Sequence, residues 1–195
     1  FIENALKILG IQFTIDPSDF EKIPKEGAFI TVSNHPYGGI DGIVLLKILA
    51  EQRPDYRIMA NFLLSKVEPL SGHFLAVNPF EKAQSKESSL GGMKQALNHL
   101  KGGHPLGVFP AGEVSSIKGT HVTDKQWSKS ILKLAKHSEV PIIPIYFKGG
   151  NSVLFHLLGL INPLLRTAKL PSELLNKKNR VIEVRIGKPI GLEEQ

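Results

Sequence analysis

The sequence predicts a single domain with an α/β layer fold. Its sheet is mixed, largely parallel and flanked by helices. Two patterns carry this prediction: short β-branched apolar runs alternate with stretches of helical periodicity, and glycines or prolines mark the junctions. The third observation is size, since 195 residues, 42% of them hydrophobic, suffice for one well-filled core. We therefore expect a single domain over residues 1–195.

The first half of the chain contains most of the predicted elements. Amphipathic spacing predicts a helix over 1–9 that stops at Gly10, because glycine commonly ends helices. Alternating or continuous β-branched runs predict strands over 11–15, 27–32, 56–60 and 74–77. Helical periodicity predicts helices over 40–50 and 88–100, the second followed by a lysine and two glycines.

The second half continues the alternation. We predict strands over 105–109, 141–147 and 181–186, a polar stretch up to about residue 124, and a helix over 127–137. The most apolar stretch covers 153–165 and contains Pro163. A buried helix is the simpler interpretation of this stretch, and a membrane-facing helix is the alternative.

Composition and charge exclude several classes of function. The chain has no cysteine, which rules out disulfides, thiolate catalysis and cysteine-rich zinc sites and is typical of a reducing compartment. A net charge of +6 favours anionic partners such as phospholipid surfaces, nucleic acid or an acidic carrier protein. No apolar run approaches the roughly 20 residues that span a bilayer, so we expect a soluble or peripheral protein. The chain starts with Phe1 and not with methionine, which leaves open that it is part of a longer polypeptide.

The most informative stretch is 33–42, where an imidazole and a carboxylate share a glycine-rich turn between a predicted strand and a predicted helix. Such loops at the carboxyl ends of strands commonly hold the chemistry of α/β enzymes. A carboxylate from Asp41 on one nitrogen of His35 would fix the tautomer and leave the other nitrogen free to take a proton. The alternative is structural, with Asp41 capping the helix and His35 bonding backbone.

Three sequence blocks follow one another along the chain and favour the catalytic interpretation over the structural one. They are Asn34-His35 with Asp41, then Phe109-Pro110-Ala111-Gly112-Glu113-Val114-Ser115, and then Val140-Pro141-Ile142-Ile143-Pro144. Together they resemble the glycerolipid acyltransferases typified by lysophosphatidic acid acyltransferases. That family has an Asn-His block with a nearby Asp, a Phe-Pro-Glu-Gly-Thr-Arg-Ser block and a Val-Pro-Ile-hydrophobic-Pro strand. The resemblance covers about two thirds of the chain.

The resemblance implies a mechanism and a set of site residues. His35 would deprotonate an acceptor hydroxyl that attacks the thioester of acyl carrier protein or coenzyme A, and Asp41 would orient His35, with no covalent intermediate, cofactor or metal. Asn34 and the Gly38–Gly39 turn would shape the loop, while backbone amides near Gly112 could face an oxyanion or a head group. The residues expected on the substrate side are Asn34, Gly38, Gly39, Asn78, Gly112, Glu113 and Ser115.

The departures from the family pattern are equally informative. Five residues separate His35 from Asp41, one more than in the commonest form of the family. The sequence Pro-Tyr-Gly-Gly-Ile-Asp-Gly resembles the haemolysin-like branch, which includes enzymes that acylate lyso-ornithine and related aminoacyl lipids. Ala111 and Val114 stand where the family has glutamate and arginine, and Asn78 stands where a second arginine is usual.

Those two arginines are the family's expected clamp on the acceptor phosphate, because a guanidinium makes two parallel bonds to oxyanions. Their absence suggests a non-phosphate aminoacyl lysolipid as acceptor, with Glu113 available to meet a cationic amine. The alternative is that Glu113 caps the following segment and that a lysine such as Lys82 or Lys118 reaches a phosphate. The predicted function is therefore lysolipid O-acylation in membrane lipid biosynthesis. The alternatives are a 1-acyl-glycerol-3-phosphate acyltransferase and a non-catalytic lipid-binding homologue.

Other functional classes fit the sequence less well. A serine hydrolase lacks its Gly-x-Ser-x-Gly elbow, the glycine pairs lack the spacing of a nucleotide-binding loop, and the histidines lack metal-ligand spacing. No aromatic residues interleave with a basic patch, which argues against nucleic-acid binding. Lysines at 125, 129, 133 and 136 would share one helix face, solvated or docking an acidic carrier or anionic lipid. With 153–165, the lysine surplus suggests a peripheral protein on the cytoplasmic face of a membrane.

Overall fold

The computed structural model describes residues 2–61, 68–77 and 86–194. Its strands are β1 (Gln12–Ile15), β2 (Ile30–Ser33), β3 (Arg57–Asn61), β4 (Phe74–Val77), β5 (Leu106–Val108), β6 (Ser116–Lys118), β7 (His121–Thr123), β8 (Ile142–Phe147) and β9 (Val181–Ile186). The helices are α1 (Ile2–Leu9), α2 (Pro17–Phe20), α3 (Gly39–Ala50), α4 (Lys86–Lys101), α5 (Lys129–Ser138), α6 (Val153–Ile161) and α7 (Pro163–Leu175), with short 3₁₀ helices at Glu68–His73 and Leu192–Glu194.

Seven strands form one mixed sheet in the order β1-β9-β8-β2-β5-β3-β4. The five strands from β8 to β4 are parallel, β9 runs antiparallel to β8, and β1 is parallel to β9. The strands β2, β5 and β8 are therefore adjacent and parallel, so the loops that follow them emerge at the same edge. This topology brings sequence-distant loops together at one place.

Two apolar layers cover the two faces of the sheet. One layer is built around α1 and α3, with Phe29, Ile40 and Tyr56 among its buried members. The other includes Ile30 and Val32 from β2 and apolar residues of α4 and α5. Because successive side chains of a strand point to opposite faces, the continuous apolar run around β2 supplies both layers, as expected for a buried parallel strand.

The predicted α/β class and the largely parallel or mixed sheet are confirmed, and the predicted strands and helices of the first half are present within a few residues of their expected bounds. The polar stretch before residue 124 differs from expectation, because it contains the antiparallel hairpin β6–β7. Lys125 also differs, because α5 begins only at Lys129 and the four lysines therefore do not share one helix.

The apolar stretch 153–165 is a pair of helices, and its interpretation as one buried helix is wrong. Asn162 ends α6 and accepts a hydrogen bond from the N–H of Leu164, and Pro163 starts α7 at the first helical position, where a missing N–H costs nothing. Most of its large apolar side chains are exposed to solvent: Val153, Leu154, Leu157, Leu160, Ile161, Leu164 and Leu165. Only Phe155 and His156 of α6 are buried.

In the ranges that the structure describes, no helix reaches the dimensions required to span a bilayer.

Candidate active site

The strand β2 ends at Ser33, so His35 lies at the edge of the sheet. Asn34 fixes the backbone between the strand and His35. The Asn34 Nδ2 donates to the Phe147 carbonyl at 2.9 Å, and its Oδ1 accepts from the Phe147 N–H at 2.8 Å. These two bonds extend the pairing of β2 with β8 by one side chain. The amide of Asn34 is thereby engaged on both sides, which makes it a positioning group for the residue that follows.

Asp41 lies in the first turn of α3 and is fully buried. Its Oδ2 accepts hydrogen bonds from the N–H groups of Tyr37 at 2.9 Å and Gly38 at 3.0 Å. Gly38 has φ of +81°, a conformation that residues with a side chain rarely adopt, and Gly39 begins the helix. The carboxylate thus closes the turn and caps the helix at the same time.

The same oxygen of Asp41 lies 3.0 Å from His35 Nδ1. Asp41 therefore contacts the imidazole and caps the helix at once, which are the two roles that the sequence left open as alternatives. The distance is that of a hydrogen bond, although the ring N–H is not aimed along the line between the two atoms. The Phe109 ring packs on the imidazole with centroids 4.2 Å apart and limits its rotation. Because Nδ1 faces Asp41, Nε2 is the nitrogen left for a substrate.

Burial dominates the electrostatics of the pair. Loss of water raises the pKa of the Asp41 carboxyl, and its contacts with His35 and with two backbone N–H groups offset part of that rise. The second oxygen, Oδ1, has no hydrogen-bond partner within the described residues. His35 retains 18% of its side-chain surface in solvent, so its ring is reachable from outside while its partner is not.

The second loop comes from β5 and wraps the other side of His35. The N–H of Ser115 donates to the His35 carbonyl at 2.9 Å, and the buried Ser115 hydroxyl donates to Asp124 Oδ1. That same carboxylate oxygen accepts from the His35 N–H at 3.3 Å. Asp124 therefore ties both loops together, a role that sequence reasoning missed because the residue belongs to no motif.

A buried ion pair supports the His35 turn from behind. Lys177 Nζ lies 2.7 Å from Glu173 Oε2 and 5.8 Å from the centroid of the Tyr37 ring. Glu173 also accepts bonds from Ser152, the N-cap of α6, at 2.6 and 2.9 Å. These contacts lower the pKa of Glu173 to about 2, although its burial acts in the opposite direction. The Tyr37 hydroxyl in turn donates to the Lys148 carbonyl at 2.8 Å.

A cleft of about 340 Å³ opens beside the second loop. It starts at Ser116, one residue beyond the Ser115 that holds His35, and extends between β6 and the junction of α6 with α7. Its walls combine charged, imidazole and apolar side chains: Glu113, Ser116, Ile117, Lys125, His156, Gly159, Leu160, Pro163 and Arg166. We call it the α6–α7 cleft.

The remaining predicted substrate residues are distributed around this cleft or lie outside the described part of the chain. Gly112 has φ of +70°, and its N–H donates to the Phe109 carbonyl at 3.0 Å. Glu113 lines the cleft, where its carboxylate lies 4.0 Å from Lys125 Nζ. Lys118 Nζ donates to the backbone carbonyl of Asp124. Asn78 and Lys82 lie outside the described residues.

Within residues 2–61, 68–77 and 86–194, no three carboxylate or imidazole side chains converge as ligands of a metal ion would.

Comparison with known proteins bears on these predictions. The model of a family described as Acyltransferase matches residues 1–195. A lyso-glycine lipid O-acyltransferase of Phocaeicola vulgatus is 28% identical over 197 residues, which cover 97% of this chain and 68% of that protein. A protein of the same name from Bacteroides thetaiotaomicron is 26% identical, over 97% of this chain and 70% of its own length.

A solved structure matches the fold. The crystal structure of the 1-acyl-sn-glycerophosphate acyltransferase PlsC from Thermotoga maritima aligns with a TM-score of 0.63 at 20% identity. The alignment covers 100% of this chain and 68% of that one. The shared arrangement confirms the predicted fold class, a mostly parallel sheet flanked by helices.

Proposed function

The chain belongs to the acyltransferase family, and from this premise we propose that it transfers a fatty acyl group from a thioester to the hydroxyl of a lysolipid. The names of the two relatives, both lyso-glycine lipid O-acyltransferases, support a lysolipid acceptor. The donor in this proposal is acyl carrier protein or coenzyme A, and the pathway is membrane lipid biosynthesis.

The observation that carries the proposal is the contact of His35 with a fully buried carboxylate beside an open ring nitrogen. In the proposed reaction, Nε2 of His35 takes the proton of the acceptor hydroxyl as its oxygen attacks the thioester carbonyl carbon. The C–O bond forms, the C–S bond breaks, and the leaving thiolate takes the proton from the imidazolium. Asp41 holds Nδ1 throughout and stabilises the positive ring.

Charge also develops on the thioester oxygen, and the second loop has donors for it. The N–H of Gly112 is used within its own turn, so it is not available. The N–H groups of Glu113 and Val114 make no hydrogen bond within the described part of the chain. We propose these two amides as oxyanion donors, since backbone N–H groups need no reorganisation to stabilise a developing negative charge.

The acceptor in our proposal has no phosphate and is built on an amino acid. Support comes from Ala111 and Val114, which occupy the positions of the family's glutamate and arginine in the second loop. Val114 packs near Gly38, where an added Cβ would lie 3.2 Å from its side chain, so this position is apolar and close to the His35 turn. A phosphate would find no guanidinium at that point.

A peripheral location at the cytoplasmic face of a membrane is part of the same proposal. It is supported by the exposed apolar side chains of α6 and α7, which are more numerous than the single scattered apolar residues that are normal on a protein surface. A net charge of +6 adds attraction to anionic lipid. The α6–α7 cleft lies against this apolar surface, so an acceptor embedded in a bilayer would reach it without leaving the membrane entirely.

The test is acyl transfer from labelled acyl carrier protein and from acyl-coenzyme A to a panel of lysolipids. The panel contains lyso-glycine lipid, lyso-ornithine lipid and lysophosphatidate. We expect transfer to an amino-acid lysolipid and a loss of about 10²–10⁴-fold in His35→Ala, the usual contribution of a general base. The matched control is His137→Ala, which removes an exposed imidazole from α5.

Each outcome decides between stated alternatives. Efficient turnover of lysophosphatidate alone would overturn the non-phosphate acceptor and favour a 1-acyl-glycerol-3-phosphate acyltransferase. Absence of transfer to every lipid by correctly folded protein would favour the non-catalytic homologue. Equal activity of His35→Ala and His137→Ala would remove His35 from the reaction.

A further inference from the structure

The α6–α7 cleft contains a polar side chain with no partner. His156 is 5% exposed, lines the cleft, and its Nδ1 makes no hydrogen bond with any described residue. An unpaired polar atom in a buried place costs about 1–3 kcal/mol unless something pairs with it. The Nδ1 atom is itself shielded from solvent, so a ligand in the cleft would meet the other atoms of the imidazole.

Two cations line the same cleft as His156. Arg166 lines the same cleft, packs its guanidinium carbon 5.8 Å from the Phe155 ring centroid, and has no carboxylate partner among the described residues. Its stem lies against Gly159, where an added Cβ would come within 2.8 Å of Arg166 Cδ. Lys125 is the second cation, and it faces Glu113 across 4.0 Å.

His156 adds no positive charge to the cleft, because its imidazole is neutral. Burial and the nearby Arg166 hold the pKa of His156 below its usual range, with Glu173 acting weakly in the opposite direction and Lys177 in the same direction. A neutral imidazole donates one N–H and adds no charge. The positive charge that faces the cleft thus comes from Arg166 and Lys125, partly balanced by Glu113.

We propose, resting on the proposed function, that the α6–α7 cleft binds the free carboxylate of an N-acylated amino acid, the head group of the acceptor. Arg166 pairs with the carboxylate through its planar fork, His156 lies against the head group, and Lys125 stands at the rim. The family's phosphate clamp is absent from the second loop, and the anion site lies instead on α6 and α7.

The chemistry of such an acceptor fits the shape of the site. An amino acid that is linked through its nitrogen retains one carboxylate, and glycine has no hydroxyl, so the hydroxyl that is acylated must lie on the acyl chain. Leu160, Pro163 and Ile117 provide an apolar wall for that chain next to the charged groups. Ser116, at the edge of the cleft, is next to Ser115, whose N–H donates to the His35 carbonyl.

Glu113 has the opposite role from the one expected on sequence grounds. If the head group carries a carboxylate, Glu113 competes with it for Lys125, whereas a cationic head group would need Glu113 directly. Glu113→Gln therefore distinguishes the two: it lowers KM a few-fold for a carboxylate acceptor and raises KM for a cationic one. The catalytic rate at saturation should change less than KM in either case.

The experiment compares a β-hydroxyacyl glycine with its glycinamide, which has the same shape without the charge. Both are assayed in mixed micelles with the unmodified protein, with Arg166→Met, and with Lys169→Met as the matched control. Lys169 lies on the same helix and does not line the cleft. We expect the unmodified protein to prefer the acid by about 10–100-fold in kcat/KM, the value of one charge-assisted hydrogen-bond pair.

Arg166→Met should erase the preference by lowering kcat/KM for the acid more than for the amide, and Lys169→Met should preserve it. Because each preference is a ratio within one protein, partial unfolding of a variant cancels. Amide turnover by Arg166→Met also reports whether that variant remains folded. An acid preference that survives Arg166→Met would overturn the carboxylate site while leaving lysolipid acylation intact. Failure of the unmodified protein on both acceptors, and on the wider lysolipid panel, would overturn the proposed function and this inference with it.

Discussion

The His35 turn and the α6–α7 pair are built in opposite ways. In the turn, Asp41 is fully buried, Asn34 is bonded on both sides, and two loops are tied by Asp124. In the helix pair, most of the large apolar side chains face solvent. In the first region, the polar groups position one imidazole. In the second region, apolar surface remains exposed and available for contact with another molecule.

The comparison shows what each task requires. His35, the general base of our proposal, has to be oriented to within a fraction of an ångström, and it follows a strand end that the sheet fixes. The lipid contact of our proposal requires exposed apolar area, which the helices outside the sheet provide. The link between the regions is the buried pair of Glu173 and Lys177, which bonds the cap of α6 and lies under the Tyr37 ring.

The largest expected effect comes from Asp41→Ala. This change removes the partner of His35 and the acceptor of two backbone N–H groups, so we expect kcat to fall by about 10²–10⁴-fold and stability to fall by roughly 1–3 kcal/mol. The measurement is turnover together with urea unfolding. Asp41→Asn is the paired variant, because an amide oxygen can still accept from Tyr37 and Gly38.

The two Asp41 variants separate orientation from folding. If Asp41→Asn restores most of the stability but not the turnover, the carboxylate acts on His35 beyond its structural role. Full turnover in Asp41→Asn would show that capping the helix is its whole contribution.

Sequence reasoning performed differently in the two regions for a physical reason. The turn is local, since β2, the glycines and α3 are contiguous, and motif spacing was enough to expect His35 and Asp41 side by side. Asp124 contacts the site through long-range packing, and Glu173 reaches it through Lys177, so no motif spacing indicates either residue. Periodicity identified 153–165 as helical but could not tell a core-facing apolar stripe from a solvent-facing one, because both have the same period.

The second prediction uses two ion pairs of equal length and unequal burial. Lys177 and Glu173 lie 2.7 Å apart and are buried, while Lys148 and Glu183 lie 2.7 Å apart and are exposed. Glu173→Ala leaves a buried ammonium unpaired, so we expect a loss of roughly 3–5 kcal/mol. The matched control Glu183→Ala should cost about 0–1 kcal/mol.

Chemical denaturation of both variants measures the difference. Equal losses would mean that Lys177 escapes to solvent when Glu173 is removed, and the link between the turn and the helix pair would then be weak. A loss of activity in Glu173→Ala at temperatures where the variant remains folded would strengthen that link.

The third prediction concerns the exposed surface of the helix pair. Replacing Ile161 and Leu164 by serine removes two of its most exposed apolar side chains, and we expect binding to anionic vesicles to weaken about tenfold or more. The control is Ile8→Ser, which removes an even more exposed apolar side chain from α1. Vesicle sedimentation at low and high salt provides the measurement. Unchanged binding of the double variant would place the membrane contact elsewhere.

The smallest expected effect is on the pH dependence of stability. Glu173 has a pKa of about 2 in the folded protein and an ordinary value of 4.5, so the folded state prefers its charged form. Its contribution is complete above pH 4.5 and is lost as the pH falls towards 2, with a slope of at most about 1.4 kcal/mol per pH unit. Asp55, whose pKa also falls to about 2 beside Arg53, contributes in the same window.

The contribution of Glu173 is isolated by difference. Glu173→Gln cannot titrate, so the free energy of unfolding of the unmodified protein minus that of Glu173→Gln should fall between pH 4.5 and pH 3, while Asp55 cancels. Because Glu173 stays charged in the folded protein until the pH nears 2, the loss between pH 4.5 and pH 3 is a loss of stability and not of this charge in the folded state. A difference that stays constant with pH would mean that the charge on Glu173 does not hold the two regions together, and that Ser152 and packing do so instead.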